Sequence, residues 1–214
     1  MNKRVILTCI CCLFSLLLQA QTEHFKFMGI PLNGKITKFD RELKKKGFKL
    51  DDYASKTLKG SYMYNGIFAG EKSQVLVSYD EKTKIVYQAC VIINHLTKEN
   101  AITNYKSLCS MIEEKYRNNE AVQFYENMKT EHGEDMKKDG IKPLEWKHVF
   151  EKDGYETMSF IIPQIMSADF LGTIMVYVEE LFSNITYNTE YYLFIRYTDW
   201  QNDNLHKDSQ INDL

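Results

Sequence analysis

The chain has 214 residues, of which 44% are hydrophobic and 13% aromatic, and its formal net charge is −2. The hydrophobic share is large enough to bury a substantial core, so we expect one domain or two small halves of one unit. The slight acidic excess argues against a protein that binds nucleic acid with its overall surface, because such proteins carry an excess of positive charge.

Residues 1–20 have the layout of a secretory signal peptide. Lys3 and Arg4 form a short basic region, residues 5–18 are apolar, and Ala20 is a small residue before a cleavage point. The apolar run is too short for a comfortable membrane span of ~20 residues, which leaves a buried N-terminal helix as the alternative. We therefore expect export to the periplasm or the extracellular space, with no membrane span in the mature chain.

The five cysteines fall into two groups. Cys9, Cys11 and Cys12 lie in the middle of the apolar run, not after a small residue at its end, so we expect simple cleavage and no lipid anchor. Cys90 and Cys109 remain in the mature chain. They either form a disulfide that closes a loop of about twenty residues, worth ~3 kcal/mol, or stay two buried free thiols. Two cysteines alone are too few for a metal site.

The first predicted helix covers the most basic run of the chain. Its apolar stripe consists of Ile36, Phe39 and Leu43. Gly47 and Phe48 predict a left-handed C-cap with a hydrophobic contact just beyond it. Residues 44–46 are then lysines in the last turn, where cations stabilise the negative end of the helix dipole. The basic run thus has a structural explanation, and a surface that meets an anionic partner is the alternative.

The segment FKFMGIPLNGKITKFDRELKKKGF, residues 25–48, together with GIFAG at 66–70, resembles a group of uncharacterised exported bacterial proteins. The shared features are a Phe-Met-Gly-Ile-Pro segment, a glycine after it, a short helix that ends in Lys-Gly-Phe and a later Phe-Ala-Gly segment. The resemblance covers roughly residues 25–95. It implies export and a shared fold, and it brings no activity, cofactor or partner.

Strand patterns follow the predicted helices in both halves of the chain. Residues 60–94 predict a meander of β-rich runs with a polar hairpin loop. A second helix is predicted over 100–116, and it is followed by 119–142, a charged segment that we interpret as a mobile insertion, part of which can be helical. Alternating apolar residues predict further strands between 144 and 200, whereas residues 201–214 lack periodicity and are predicted to be disordered.

This order predicts an α+β fold with an antiparallel sheet and helices on one face. The domain is expected to span residues 21–200, with two similar halves at about 25–98 and 99–200. The tandem helix-plus-meander plan is similar in architecture to β-lactamase inhibitor proteins, which use a concave sheet to bind an enzyme. That likeness rests on architecture alone and carries no shared motif.

Motifs for catalysis, metal binding and cofactor binding are missing from the sequence. It contains no H-E-x-x-H, no G-x-S-x-G and no glycine-rich phosphate loop ahead of a helix. Paired carboxylates are plentiful, but no apolar sequence context marks one of them for acid–base work. We predict no catalytic residue, no metal ligand and no cofactor, and a hydrolase with a dispersed site remains an alternative.

Tyrosine is the unusual feature of the composition, with 14 residues, many of them on predicted strands. Neighbours such as Tyr191 and Tyr192 must point to opposite faces of a sheet, so we expect some exposed aromatic surface, which is favoured at recognition sites. The predicted binding residues are Tyr62, Tyr64, Phe68, Tyr191 and Tyr192. The leading hypothesis is a non-enzymatic protein that binds another macromolecule through this aromatic sheet face. A small-ligand or glycan binder is the alternative.

Overall fold

The computed structural model describes most of the chain after the predicted signal peptide. The described residues are 24–138, 145–152, 154–163, 170–183 and 187–211. The signal peptide predicted over residues 1–20 lies outside them, so cleavage and export stay predictions. Within the described ranges, no helix combines the length and the apolar character needed to cross a membrane.

The chain alternates helices with long antiparallel strands. The first half consists of β1 (Lys26–Phe27), β2 (Ile30–Pro31), α1 (Ile36–Lys45), β3 (Lys49–Leu50), α2 (Asp52–Thr57), β4 (Ser61–Phe68), β5 (Glu71–Tyr79) and β6 (Val86–Leu96). The second half consists of α3 (Lys98–Arg117), α4 (Glu120–Lys138), β7 (Lys147–Lys152), β8 (Tyr155–Pro163), β9 (Phe170–Ser183), β10 (Asn188–Asp199) and α5 (Trp200–Ile211). The predicted α+β class is confirmed.

The two halves meet in the middle of one eight-stranded antiparallel sheet, while β1 and β2 form a separate small hairpin. The strand order of the large sheet is β3-β4-β5-β6-β10-β9-β8-β7. The strands of the first half therefore fill one side of the sheet and those of the second half fill the other, and β6 pairs with β10 between them.

The hydrophobic core lies between the helices and one face of the large sheet, which we call the helix-side face. Val75, Val91, Ile195 and Val176 are fully buried there and pair in register, so they form one row across four neighbouring strands. The period of two along a strand turns every second side chain to this face. Full burial of each such side chain stabilises the fold by about 1.5–3 kcal/mol.

α1 confirms the predicted helix and its C-cap. Gly47 has a φ of +90°, which is the left-handed conformation that favours glycine. The Phe48 N–H donates to the Leu43 carbonyl at 3.2 Å and the Gly47 N–H donates to the Lys44 carbonyl at 3.0 Å, which is the Schellman pattern. The buried Phe48 ring lies so close to Gly66 that a β-carbon there would fall 2.3 Å from it. The basic run is therefore the end of a helix that docks on β4.

The segment predicted as a charged insertion is largely a helix. Residues 120–138 form α4, and the Asn119 side chain caps it by accepting a hydrogen bond from the Ala121 N–H at 3.0 Å. Ala121 and Val122 are buried, and the helix contacts β8. Polar residues surround this short apolar contact, which explains why the hydrophobic pattern is faint. Residues 139–142 lie outside the described residues.

Residues 201–211 of the segment predicted as a disordered tail are also helical, and residues 212–214 lie outside the described residues. α5 covers residues 200–211, and Asp199 caps it by accepting a hydrogen bond from the Asn202 N–H at 3.0 Å. The Asn202 amide donates to the Leu32 carbonyl at 2.6 Å, and the His206 ring stacks on Tyr87 at 4.5 Å. The prediction is wrong because polar anchors fix this helix, and these leave no apolar periodicity in the sequence.

Candidate functional site

The residues predicted to form an aromatic patch are divided between the two faces of the sheet. Tyr64 is fully buried beneath α1, and its hydroxyl donates to Asp40 at 3.2 Å. Tyr62 and Phe68 lie on the same face of β4 and pack against the core, as Tyr191 does from β10. The prediction is wrong for Tyr64, because its strand turns it toward the helices, where it is fully buried. The other three are partly buried on the same face, and their binding role stays a prediction.

Tyr192 is the one member of the predicted set that the core cluster does not hold. Its ring stacks on Phe194 at 6.4 Å, and Phe194 stacks on Tyr177 at 5.0 Å. Tyr191 and Tyr192 therefore point to opposite faces of the sheet, as predicted. Tyr177 is only 2% exposed, so this row of rings is closely packed and offers no broad open platform.

Of the two alternatives for Cys90 and Cys109, the structure has the separate buried thiols and not the disulfide. Cys109 belongs to the core on the helix-side face, whereas Cys90 lies opposite Arg196 on the other face. The sheet therefore separates the two sulfur atoms. Burial raises the pKa of Cys90 to about 11 and that of Cys109 to about 12, which keeps both thiols protonated and unreactive at neutral pH.

A cleft of about 430 Å³ lies where α3 begins and β9 ends, within the ~300–1,000 Å³ typical of ligand pockets. Helical spacing places its α3 residues on one side of that helix. They are Lys98, Ile102, Tyr105 and Lys106. The strands supply the facing wall with Tyr155, Glu156, Val178 and Glu180. We call this site the Tyr155 cleft.

Tyrosine–glutamate hydrogen bonds organise the cleft. The Tyr105 hydroxyl donates to Glu156 Oε1 at 3.1 Å, and the Tyr155 hydroxyl donates to Glu180 Oε2 at 2.5 Å. The bond to Glu180 raises the pKa of Tyr155, and burial raises the pKa of Tyr105, so both hydroxyls stay protonated donors at neutral pH. Lys98 Nζ lies 5.8 Å from the centre of the Tyr155 ring, in cation–π geometry.

The charges that line the cleft balance. Lys98 and Lys106 offset Glu156 and Glu180, and Ile102 adds apolar surface between them. Such a lining suits an uncharged group that combines an apolar body with a few hydrogen-bonding atoms. Within the described ranges, no three His, Cys, Asp or Glu side chains lie close enough together to hold a metal ion.

The sheet opens beside the cleft. β8 and β9 pair from Pro163–Phe170 to Met158–Val176, and the paired register ends there. Beyond that point β9 continues through 178–182 with β10 on one side, while the start of β8 pairs with β7. Among the residues that the structure describes, no strand pairs with the other side of 178–182. We call these residues the free edge of β9.

A second polar cluster lies at the opposite end of the sheet, beside α5. Asp199 is fully buried and accepts hydrogen bonds from the Phe25 N–H at 2.9 Å and the Asn202 N–H at 3.0 Å, and His24 Nδ1 lies 3.1 Å from it. Nearby, His206 Nδ1 lies 3.0 Å from Asp80 Oδ2. This cluster ties α5 and the N-terminal hairpin to the sheet.

No local sequence pattern marks the residues of the Tyr155 cleft as a site. Tyr105 lies within the second predicted helix, and Tyr155, Glu156 and Glu180 come from separate strands whose approach no local pattern reveals. Comparisons of the chain with protein families, curated proteins and solved structures find no match. The resemblance to exported bacterial proteins therefore stays a prediction.

Proposed function

We propose that this protein is an exported, non-enzymatic binding protein whose site is the Tyr155 cleft together with the end of β9, and that its partner is another protein. The observation that carries the proposal is the set of exposed apolar side chains at the end of β9 and just before β10. Leu181 is 47% exposed, Phe182 61% and Tyr187 78%. Exposed apolar side chains next to a concave site are typical of interaction surfaces.

The chemistry of the cleft supports an anchoring role. Interfaces draw most of their binding energy from a few side chains that fill desolvated pockets. Ile102, Val178 and the Tyr155 ring offer such a pocket, and the tyrosine–glutamate pairs around it fix its shape. A partner would place an uncharged side chain in the cleft and cover Leu181 and Phe182 with neighbouring apolar surface.

A small-ligand or glycan binder is the second candidate, and the volume of the cleft favours it. An aromatic ring beside carboxylates and ammonium groups also suits a hydroxyl-rich ligand. This candidate leaves the exposed Phe182 and Tyr187 without a role, whereas a protein partner uses them.

The proposal is tested by site-specific photo-crosslinking in the producing cells. A photoreactive phenylalanine analogue replaces Phe182 in one variant and Tyr53, an 82% exposed residue on α2, in the matched control. We expect a discrete crosslinked protein with the Phe182 variant that is absent with the Tyr53 variant and is lost when Tyr155→Ala is added. Equal crosslinking at both positions, or glycan-array binding that depends on Tyr155 without any protein crosslink, contradicts the proposal.

A further inference from the structure

We infer that the partner supplies an extended polypeptide segment that adds as a strand to the free edge of β9, residues 178–182, and places alternate side chains in the Tyr155 cleft. The inference rests on the proposed function and specifies how that partner binds. Strand addition uses backbone hydrogen bonds for affinity and side-chain pockets for specificity.

The free edge of β9 provides backbone groups with which an added strand can pair. In an antiparallel ladder each residue turns its N–H and its carbonyl to the same side, so alternate residues of 178–182 direct both groups away from β10. No described strand accepts them there. Unpaired edges of this kind pair readily with another chain.

Side chains, not backbone bonds, bridge the opening between β8 and β9. Lys152 Nζ lies 3.1 Å from Glu179 Oε1, and the Tyr155 hydroxyl reaches Glu180 from the far side of the opening. Lys152, Glu179 and Glu180 are all solvent-accessible. An exposed ion pair such as Lys152–Glu179 contributes little to stability, so an incoming strand displaces it at small cost.

The spacing of the pockets matches a strand. Val178, Glu180 and Phe182 share the helix-side face of β9, and consecutive members lie roughly 7 Å apart because a strand rises ~3.3 Å per residue. Val178 and Glu180 line the cleft. A second depression of about 500 Å³ follows the edge itself and is lined by Tyr155, Glu179, Glu180, Leu181 and Phe182. An added strand would lie along this depression and place a side chain from its helix-side face in the cleft.

A polypeptide fits these features better than a glycan does. Backbone donors and acceptors that repeat every second residue are matched by another extended backbone, whereas sugar hydroxyls have no such repeat. Because the charges of the cleft balance, we expect the partner to place an uncharged side chain there. Because the Phe182 ring is exposed, we expect an apolar side chain two residues further along the partner's strand.

The test uses a library of short random peptides displayed on phage and selected on the purified exported chain. An enriched peptide is synthesised, and single backbone nitrogens along it are methylated in turn, which removes one donor each time. We expect the affinity to fall more than tenfold at every second position and to change little at the positions between. Phe182→Ala is expected to weaken binding, while Phe124→Ala, an exposed phenylalanine on α4, is the matched control.

Either of two results overturns the inference. The first is that no peptide is enriched, and the second is that methylation acts without the two-residue period. If the Phe182 crosslink to a partner protein still forms in either case, the proposed function stands and only the strand-addition mode fails. If no crosslink forms and glycans bind in a Tyr155-dependent manner, the proposed function fails as well.

Discussion

Both ends of the large sheet contain a hydrogen-bonded carboxylate, but the two carboxylates differ in burial and in the groups that donate to them. At the α5 end, Asp199 is fully buried and two backbone N–H groups donate to it. At the cleft end, Glu180 accepts from a tyrosine side chain and remains exposed. A carboxylate whose acceptor positions are filled by backbone donors stabilises the fold, whereas an exposed carboxylate keeps positions for a partner.

The two ends are far enough apart to be tested separately. β9 runs from Gly172 near Asp199 to Glu180 in the cleft, which corresponds to roughly 26 Å at ~3.3 Å per residue. Substitutions at such a separation act independently. We therefore predict that substitutions at the α5 end change the free energy of unfolding and that substitutions at the cleft end change the affinity for the partner.

The largest expected effect is that of Gly172→Ala at the α5 end. A β-carbon at Gly172 would lie 2.0 Å from the Thr198 carbonyl oxygen, so the strands must move apart. We expect a loss of more than about 3 kcal/mol in the free energy of unfolding, measured by urea denaturation. Gly154→Ala is the matched change at the cleft end, where a β-carbon meets no atom and only the φ of +79° opposes it, at a cost of about 1–2 kcal/mol. Equal losses would contradict the comparison.

Asp199→Ala is expected to have the next largest effect. It leaves the Phe25 and Asn202 N–H groups without their acceptor in a buried place and removes the cap of α5. Because each unsatisfied buried donor costs about 1–3 kcal/mol, we expect a loss of roughly 2–4 kcal/mol in unfolding free energy. Binding of the selected peptide at a temperature where the variant is folded should be unchanged. A loss of affinity together with unchanged stability would reverse the roles of the two ends.

We expect acid to lower the stability of the fold at the α5 end, because Asp80 becomes protonated there. Burial alone would raise the pKa of this carboxyl, but the hydrogen bond from the Thr83 N–H and the neighbouring His206 outweigh it and lower the pKa to about 2. Because the pKa is lower in the folded state, Asp80 contributes stability above about pH 4, its range in the unfolded chain, and that contribution is lost as the pH falls toward 2. Unfolding measured across this range should depend less on pH in Asp80→Asn, and an unchanged slope would contradict the assignment.

The smallest stability effect is expected from Tyr155→Phe in the cleft. The substitution keeps the ring and removes only the surface hydrogen bond to Glu180. We expect a change in unfolding free energy of about 0.5 kcal/mol or less, since surface substitutions are usually within that range. Tyr155→Ala should likewise leave most of the stability intact while it weakens peptide binding by roughly tenfold or more. A severely destabilised Tyr155→Phe would assign this tyrosine to the fold and not to a binding site.

Local patterns predicted the parts of the fold that depend on local physics. The stripe of Ile36, Phe39 and Leu43 and the cap at Gly47 predicted α1, and alternation predicted the strands. α5 was missed and α4 was predicted only as a partly helical insertion, because Asn119 and Asp199 anchor these helices through polar contacts that carry no period. The burial of Tyr64 was not predicted because alternation tells which residues share a face and does not tell which face the helices cover.

The candidate site was harder to predict because its residues lie far apart in the sequence and meet only in the folded chain. Tyr155 and Glu180 meet across an opening in the sheet, and the end of the β8–β9 pairing depends on register and twist, not on any short motif. Local sequence patterns do not identify a site whose residues come from separate segments of the chain.

The most direct test of the free edge is amide hydrogen exchange along β9 in the protein without a partner. Residues 172–176 pair on both sides, with β8 and with β10, so we expect slow exchange at every one of their amides. In 178–182 we expect slow exchange only at alternate amides, those that face β10, and fast exchange at the ones between. Uniformly slow exchange through 182 would mean that the edge is already paired, and it would contradict both the free edge and the strand addition that depends on it.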